Sequence, residues 1–405
     1  MNHRFPVTAF TLAILFLSAA SAQAYVVIAS ASTRVGPLER TEWTVAASPD
    51  PIDTFKMTRW VKAGPDGPIR GSILLLPSLG TTFALYEQRD AGGGLGTSIA
   101  EFFALRNYDV YGYSPRFEGI PAGACEAGVV DCSAMAGWDL QSMLDDISYV
   151  RDQIDLLQPG SGVVAGGLSL GGILAVAVAD DDGARYDGVF PWEGMLVSDD
   201  PVVQGLNAGY CAAAEAQQMA GIIFDGVGIG VFKAVAQHAR TQPESLNTIP
   251  LFPPTLTSHQ VMVLVGSLPA PGPVSMPVPG YILVAGSLAE NRFFYASEDR
   301  YLENIVGTFN NYTPIALLRD IPCALAGIDA THTGNLGAFT GSVLMIGGGH
   351  AFGGFMQDQL DAFTGASDKT LLVEPEFGHV DHFMSPSHRE FVEFPILEWL
   401  SGVLD

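Results

Sequence analysis

Six runs of strand length, residues 72–76, 109–113, 162–166, 188–190, 343–346 and 370–373, are short and predominantly apolar. A strand without polar alternation offers water no face, so it belongs in a sheet covered on both sides. Helical patterns lie between these runs. The clearest covers residues 138–157, where Leu140, Leu144, Ile147 and Ile154 recur at helical spacing and Asp145, Asp146, Arg151 and Asp152 supply a wet face. Strands alternating with helices predict an α/β chain built on a mostly parallel, doubly wound sheet. Two further strand-like runs, 43–47 and 55–61, flank a turn-rich spacer at 48–51 and predict an antiparallel hairpin at a sheet edge.

The alternation lapses over residues 201–341, which begin Ala/Gly-rich, pass through nine prolines between Pro243 and Pro279, and regain helical patterning from Tyr301 to Leu325. Strands resume afterwards, so this stretch reads as a cap inserted after the sixth strand. The expected organisation is residues 1–24 a signal peptide, 25–200 the first part of the core, 201–341 the cap, and 342–405 the second part of the core. At 48% hydrophobic and 15% charged residues the chain can bury a core and is not a disordered one. Its 19 Lys+Arg against 43 Asp+Glu leave a formal charge of −24, with four scattered lysines, which argues against nucleic acid as a partner.

The first residues carry a basic head (His3, Arg4), an apolar run over 7–17, and small residues ending at Ala24. That pattern predicts export, with cleavage between Ala24 and Tyr25, to a secreted or periplasmic location; an uncleaved anchor is the competing reading. Later apolar runs are all interrupted by Gly, Pro or charge before they reach spanning length, so no stable membrane span is expected after cleavage. In an oxidising compartment the four cysteines read as two bridges, a local Cys125–Cys132 and a long-range Cys211–Cys323. Four buried thiols are the alternative.

Gly167-Leu168-Ser169-Leu170-Gly171 is a G-x-S-x-G placed between a buried-strand pattern and a helical one. With 46 glycines in the chain the pentapeptide alone is weak evidence, and its position is what counts. A sharp strand-to-helix turn holds Ser169 in a strained conformation with its hydroxyl exposed, and small neighbours permit the close strand–helix approach. A serine hydroxyl needs a base. Of eight histidines, His3 lies in the signal, His238, His259 and His332 in the expected cap, and His388 in a polar terminal helix. His379 follows the last strand, on a loop at the sheet edge where the Ser169 turn also emerges, and is the expected base. His382 is the runner-up.

On these residues the chain resembles the α/β-hydrolase superfamily over most of residues 41–200 and 340–405, in the order Ser169, acid, His379. The resemblance implies an oxyanion hole from the backbone N–H groups of Leu79, in the Pro77-Ser78-Leu79-Gly80 segment, and of Leu170. It usually implies an acid in a Gly-x-x-Asp context after the seventh strand, but the matching Gly347-Gly348-Gly349-His350 holds no carboxylate. Some hydrolases place the acid after the sixth strand, which is where Glu193 lies. Asp199 and Asp200 compete with it, and Asp358, Asp361 or no acid at all complete the alternatives. His350 is then a pocket residue or a structural one.

The Gly347–Gly349 run lacks the lysine of a phosphate loop, and the histidines near the C-terminus lack metal-ligand spacing, so neither cofactor nor metal is expected. The implied activity is an exported serine hydrolase acting on small-molecule or lipid-like carboxylic esters of apolar acyl groups. Acyl transfer, thioester or amide cleavage on the same triad, and a catalytically silent binding protein, are the competing readings.

Overall fold

The computed structural model describes residues 25–64, 67–90, 92–267 and 280–404. Residues 1–24, and the signal-peptide expectation with them, lie outside this range. Nine strands form one sheet: β1 (Val26–Val35), β2 (Leu38–Ala46), β3 (Thr54–Lys62), β4 (Gly71–Leu76), β5 (Tyr108–Ser114), β6 (Val163–Leu168), β7 (Gly188–Trp192), β8 (Ser342–Gly348) and β9 (Asp368–Glu374). Their order is β1-β2-β3-β5-β4-β6-β7-β8-β9. The pairings from β5 through β9 are parallel, and β1, β2 and β3 run antiparallel at one side.

The apolar strands β4 to β8 are covered on both faces, as their composition demands. Along β4, Leu74 and Leu76 enter one core cluster with Leu144 and Ile147, while Ile73 and Leu75 enter another with Ile99, Phe102, Ile396 and Leu400. Each such side chain contributes roughly 1.5–3 kcal/mol by leaving water. Helix α1 (Leu140–Leu157) buries the stripe expected of it, but of the expected wet face it also buries Asp146, which pairs with Arg116, and Arg151, which donates to the Arg185 carbonyl; it is capped by Asp139, whose carboxylate accepts the Ser142 N–H at 2.8 Å. Helix α2 (Leu170–Asp182) is buried from Leu170 to Asp180, which explains an apolar sequence with no polar stripe.

Three expectations about the sheet need correction. The hairpin is not at the edge, because β1 adds outside it and pairs along β2. That strand escaped notice because its residues are mostly exposed, Val26, Val27 and Ile28 among them, and carry no burial pattern. The stretch expected as a cap therefore follows the seventh strand of the chain, where the expectation had the sixth. At the opposite edge β9 is half-exposed, with Leu372 and Val373 each more than a third accessible, although its composition read as a strand covered on both faces.

Between β7 and β8 lie α3 (Pro201–Met219), α4 (Gly228–Thr241), α5 (Ser258–Ser267), α6 (Glu298–Thr308) and α7 (Ile315–Leu325). The helical pattern read over 301–325 is thus two helices. Cys211 on α3 is bonded to Cys323 on α7, and Cys125 to Cys132. Closing 112 residues restricts the unfolded chain far more than closing 7. Replacing Cys211 and Cys323 by alanine is expected to lower unfolding stability in urea by about 2–5 kcal/mol, and the equivalent change at Cys125 and Cys132 by clearly less.

Candidate active site

Ser169 follows β6 directly and holds the N-cap position of α2 with φ 60° and ψ −116°, a left-handed backbone that costs a serine of order 1–3 kcal/mol. Its N–H donates to the Trp192 carbonyl at 2.8 Å, and its own carbonyl accepts from Ile173 at 3.0 Å. The turn passes so close to the end of β4 that a Cβ at Gly167 or Gly171 would stand 2.2 or 2.1 Å from the Leu76 carbonyl oxygen. Tyr86 locks the same crossing. Its hydroxyl donates to the Leu76 carbonyl at 2.7 Å and accepts the Leu168 N–H at 2.8 Å.

Ser169 and His379 line one cavity of about 190 Å³, whose other walls are mostly apolar. Leu79, Ser78 and Thr81 come to it from the loop after β4, Ile229 and Phe232 from α4, and Ile305 from α6. His379 sits on the loop following β9. Its Nδ1 is 3.2 Å from Glu193 Oε2. Glu193 follows β7 directly with φ 53°, is wholly buried, and its N–H donates to the Ile346 carbonyl at 2.8 Å. Its carboxylate accepts the Gly348 N–H and, at 3.3 Å, the Phe352 N–H. The glycine run that lacks an acid thus supplies a backbone donor to one.

Burial raises the Glu193 carboxyl well above its ordinary range, and the two backbone N–H groups work against that. Burial also pushes the His379 imidazole below its ordinary value, so it is neutral near pH 7 and able to accept a proton. Leu79 occupies the Ser78–Thr81 turn, which Gly80 closes at φ 73° and whose own hydrogen bond runs from the Thr81 N–H to the Ser78 carbonyl. Leu170 begins α2, so its N–H is among those a helix leaves without an internal partner.

No family model and no curated protein matches the sequence. Solved structures do. A candidate lipase from Sulfolobus solfataricus superposes with a TM-score of 0.60 at 15% identity, covering 93% of this chain and 99% of that one. A monoglyceride lipase from Saccharomyces cerevisiae gives a TM-score of 0.51 at 12% identity, covering 87% and 92%. The chain has the α/β-hydrolase fold.

Within this fold the competing carboxylates have other tasks. Asp200 caps α3, accepting from Val202 and Val203. Asp199 is exposed, and its N–H donates to Asp358. Asp358 also accepts from Ser198, and Asp361 accepts from the Gln357 amide on the surface. His382, the runner-up base, is fully buried beside the ring of Phe377, with Nδ1 3.8 Å from Glu193 Oε1, and does not line the cavity. His350 does not line it either; its N–H donates to the Phe377 carbonyl.

Among the described residues, the grouping of metal-ligating side chains in reach of one another is Cys211, Glu215 and Cys323, and its cysteines are disulfide-bonded. No described helix is long and apolar enough to cross a membrane. Sequence reasoning missed Tyr86 and Tyr281, which stacks on His379, because both are aromatic residues in segments without a motif.

Proposed function

We propose that this chain is an exported serine hydrolase that cleaves carboxylic esters of apolar acyl groups through an acyl-enzyme. The observation that supports it most is Ser169 held at a strained strand-to-helix turn in the same cavity as a histidine whose Nδ1 meets a buried carboxylate.

In the first step Ser169 Oγ forms a bond to the ester carbonyl carbon while its proton passes to His379 Nε2. The carbonyl oxygen becomes an oxyanion, held by the Leu79 N–H from the turn after β4 and by the Leu170 N–H at the positive end of α2. Collapse breaks the bond to the alkoxy oxygen, which takes the proton from His379 and leaves as the alcohol. Water then attacks the acyl-enzyme by the same route, giving its proton to His379 and releasing the carboxylic acid as Ser169 recovers its own. Glu193 keeps the imidazole in one tautomer and stabilises the imidazolium without taking the proton.

Residues 201–341 act in this reading as a cap over an acyl pocket between two parts of the core, 25–200 and 342–405. Ile229, Phe232, Ile305 and Phe309 from that segment supply apolar wall, which suits a hydrocarbon acyl chain and excludes water around the reacting carbonyl. The two disulfides fit an oxidising compartment, in keeping with export.

A panel of p-nitrophenyl esters of increasing acyl length tests the reading. The expected result is a kcat/KM that rises from acetate to a medium-length acyl group and then falls once the chain outgrows the cavity. Absence of turnover at every length, or a preference for charged acyl groups, counts against it. Product analysis with added alcohols separates hydrolysis from acyl transfer.

A further inference from the structure

We propose that Tyr281, contributed by the segment between β7 and β8, is a positioning residue for His379, its ring backing the imidazole and stabilising the imidazolium formed during turnover. This rests on the reading of His379 as the general base.

The two rings are stacked, with centroids 5.0 Å apart and planes 14° from parallel. Phe352 makes a T-shaped contact with the same imidazole, centroids 5.5 Å apart and planes at 63°, so two aromatic rings pack against the histidine. The main chains are tied as well. The His379 N–H donates to the Tyr281 carbonyl at 2.5 Å and the Val380 N–H to the Ile282 carbonyl at 2.9 Å. Asp381 Oδ2 then accepts from Gly378 on its own loop at 2.7 Å and from Val284 at 2.9 Å, fastening both segments to one carboxylate. The histidine loop is therefore built against residues 281–284, so the inserted segment contributes to the catalytic machinery in addition to lining the cavity.

The ring, more than the hydroxyl, carries the effect. The Tyr281 hydroxyl lies 3.5 Å from His379 Nδ1, the limit of a hydrogen bond, while Glu193 Oε2 is nearer at 3.2 Å. Burial and the Glu193 charge keep that phenol protonated, so it brings no negative charge to the imidazole. A neutral aromatic face attracts a cation lying against it, and that attraction strengthens when water is excluded. It appears only when His379 is protonated, in the transition states on either side of the acyl-enzyme.

Besides Tyr281, the titratable groups near this histidine are Glu193 from the end of β7 and His382 from its own loop, while Asp381, whose carboxyl burial lifts to about 7, holds that loop through Gly378 and Val284. All are common to the variants below, so the informative quantity is the difference between variants. Without the aromatic face the imidazolium is less stable and the apparent pKa of the base falls, which moves the acid limb of kcat/KM to lower pH.

The test compares Tyr281→Phe, Tyr281→Trp, Tyr281→Leu and Tyr281→Met in the full-length protein, with His379→Ala as control. The two non-aromatic variants are expected to lose about tenfold in kcat, keep KM within about twofold, and shift the acid limb downward, while Phe and Trp retain kcat within about threefold. Circular dichroism confirms that the variants compared are folded. If Phe falls as far as Leu, if the loss appears in KM alone, or if Leu and Met match the wild type, the role assigned to Tyr281 is wrong. Turnover by His379→Ala at the wild-type rate would instead overturn the base reading beneath it.

Discussion

Ser169→Ala is expected to lower kcat on an activated ester by about 10⁶-fold while leaving the fold and substrate binding nearly intact. The substitution removes one oxygen and leaves the φ 60° turn to a residue with the same Cβ, so the backbone hydrogen bonds to Trp192 and Ile173 persist. No neighbour replaces the nucleophile. Ser78 and Thr81 also line the cavity, but they belong to the loop after β4, and the Thr81 hydroxyl is engaged by the Ser78 carbonyl at 3.0 Å. Steady-state kinetics beside urea unfolding checks both halves, the lost turnover and an unchanged midpoint.

Glu193→Gln is expected to cost about 10³–10⁴ in kcat, because an amide of the same shape presents a donor where the imidazole N–H needs an acceptor. It would also turn its NH₂ toward either His379 or the Gly348 and Phe352 N–H groups, which require acceptors themselves. Asp199→Asn and Asp200→Asn should stay within about threefold of wild type, since asparagine caps a helix about as well as aspartate and Asp199 is exposed. A large loss in either aspartate variant, with Glu193→Gln near wild type, would move the acid elsewhere.

The parallel strands were legible in the sequence because a run such as 72–76 has no polar alternation and must be covered on both faces. The Ser169 turn was legible for a similar reason, since only glycines at 167 and 171 fit beside the Leu76 carbonyl. Strand β1 was not, because an exposed edge strand needs no burial pattern and its register is set by pairing with β2. Glu193 was legible as a candidate for orienting His379 from its place after the run 188–190, but the groups that hold it were not. What holds it is the Gly348 backbone, 155 residues away, and a peptide N–H leaves no trace in side-chain identity. Tyr281 was less legible still, since nothing in a proline-dense stretch says that one aromatic ring will settle against a histidine a hundred residues later.

The most direct test of the account is covalent labelling with a fluorophosphonate, read by peptide mapping. The account predicts rapid, stoichiometric modification at Ser169 in the wild type, labelling slowed by orders of magnitude in His379→Ala, and none in Ser169→Ala. Modification at another residue, or equal labelling rates for wild type and His379→Ala, would contradict it.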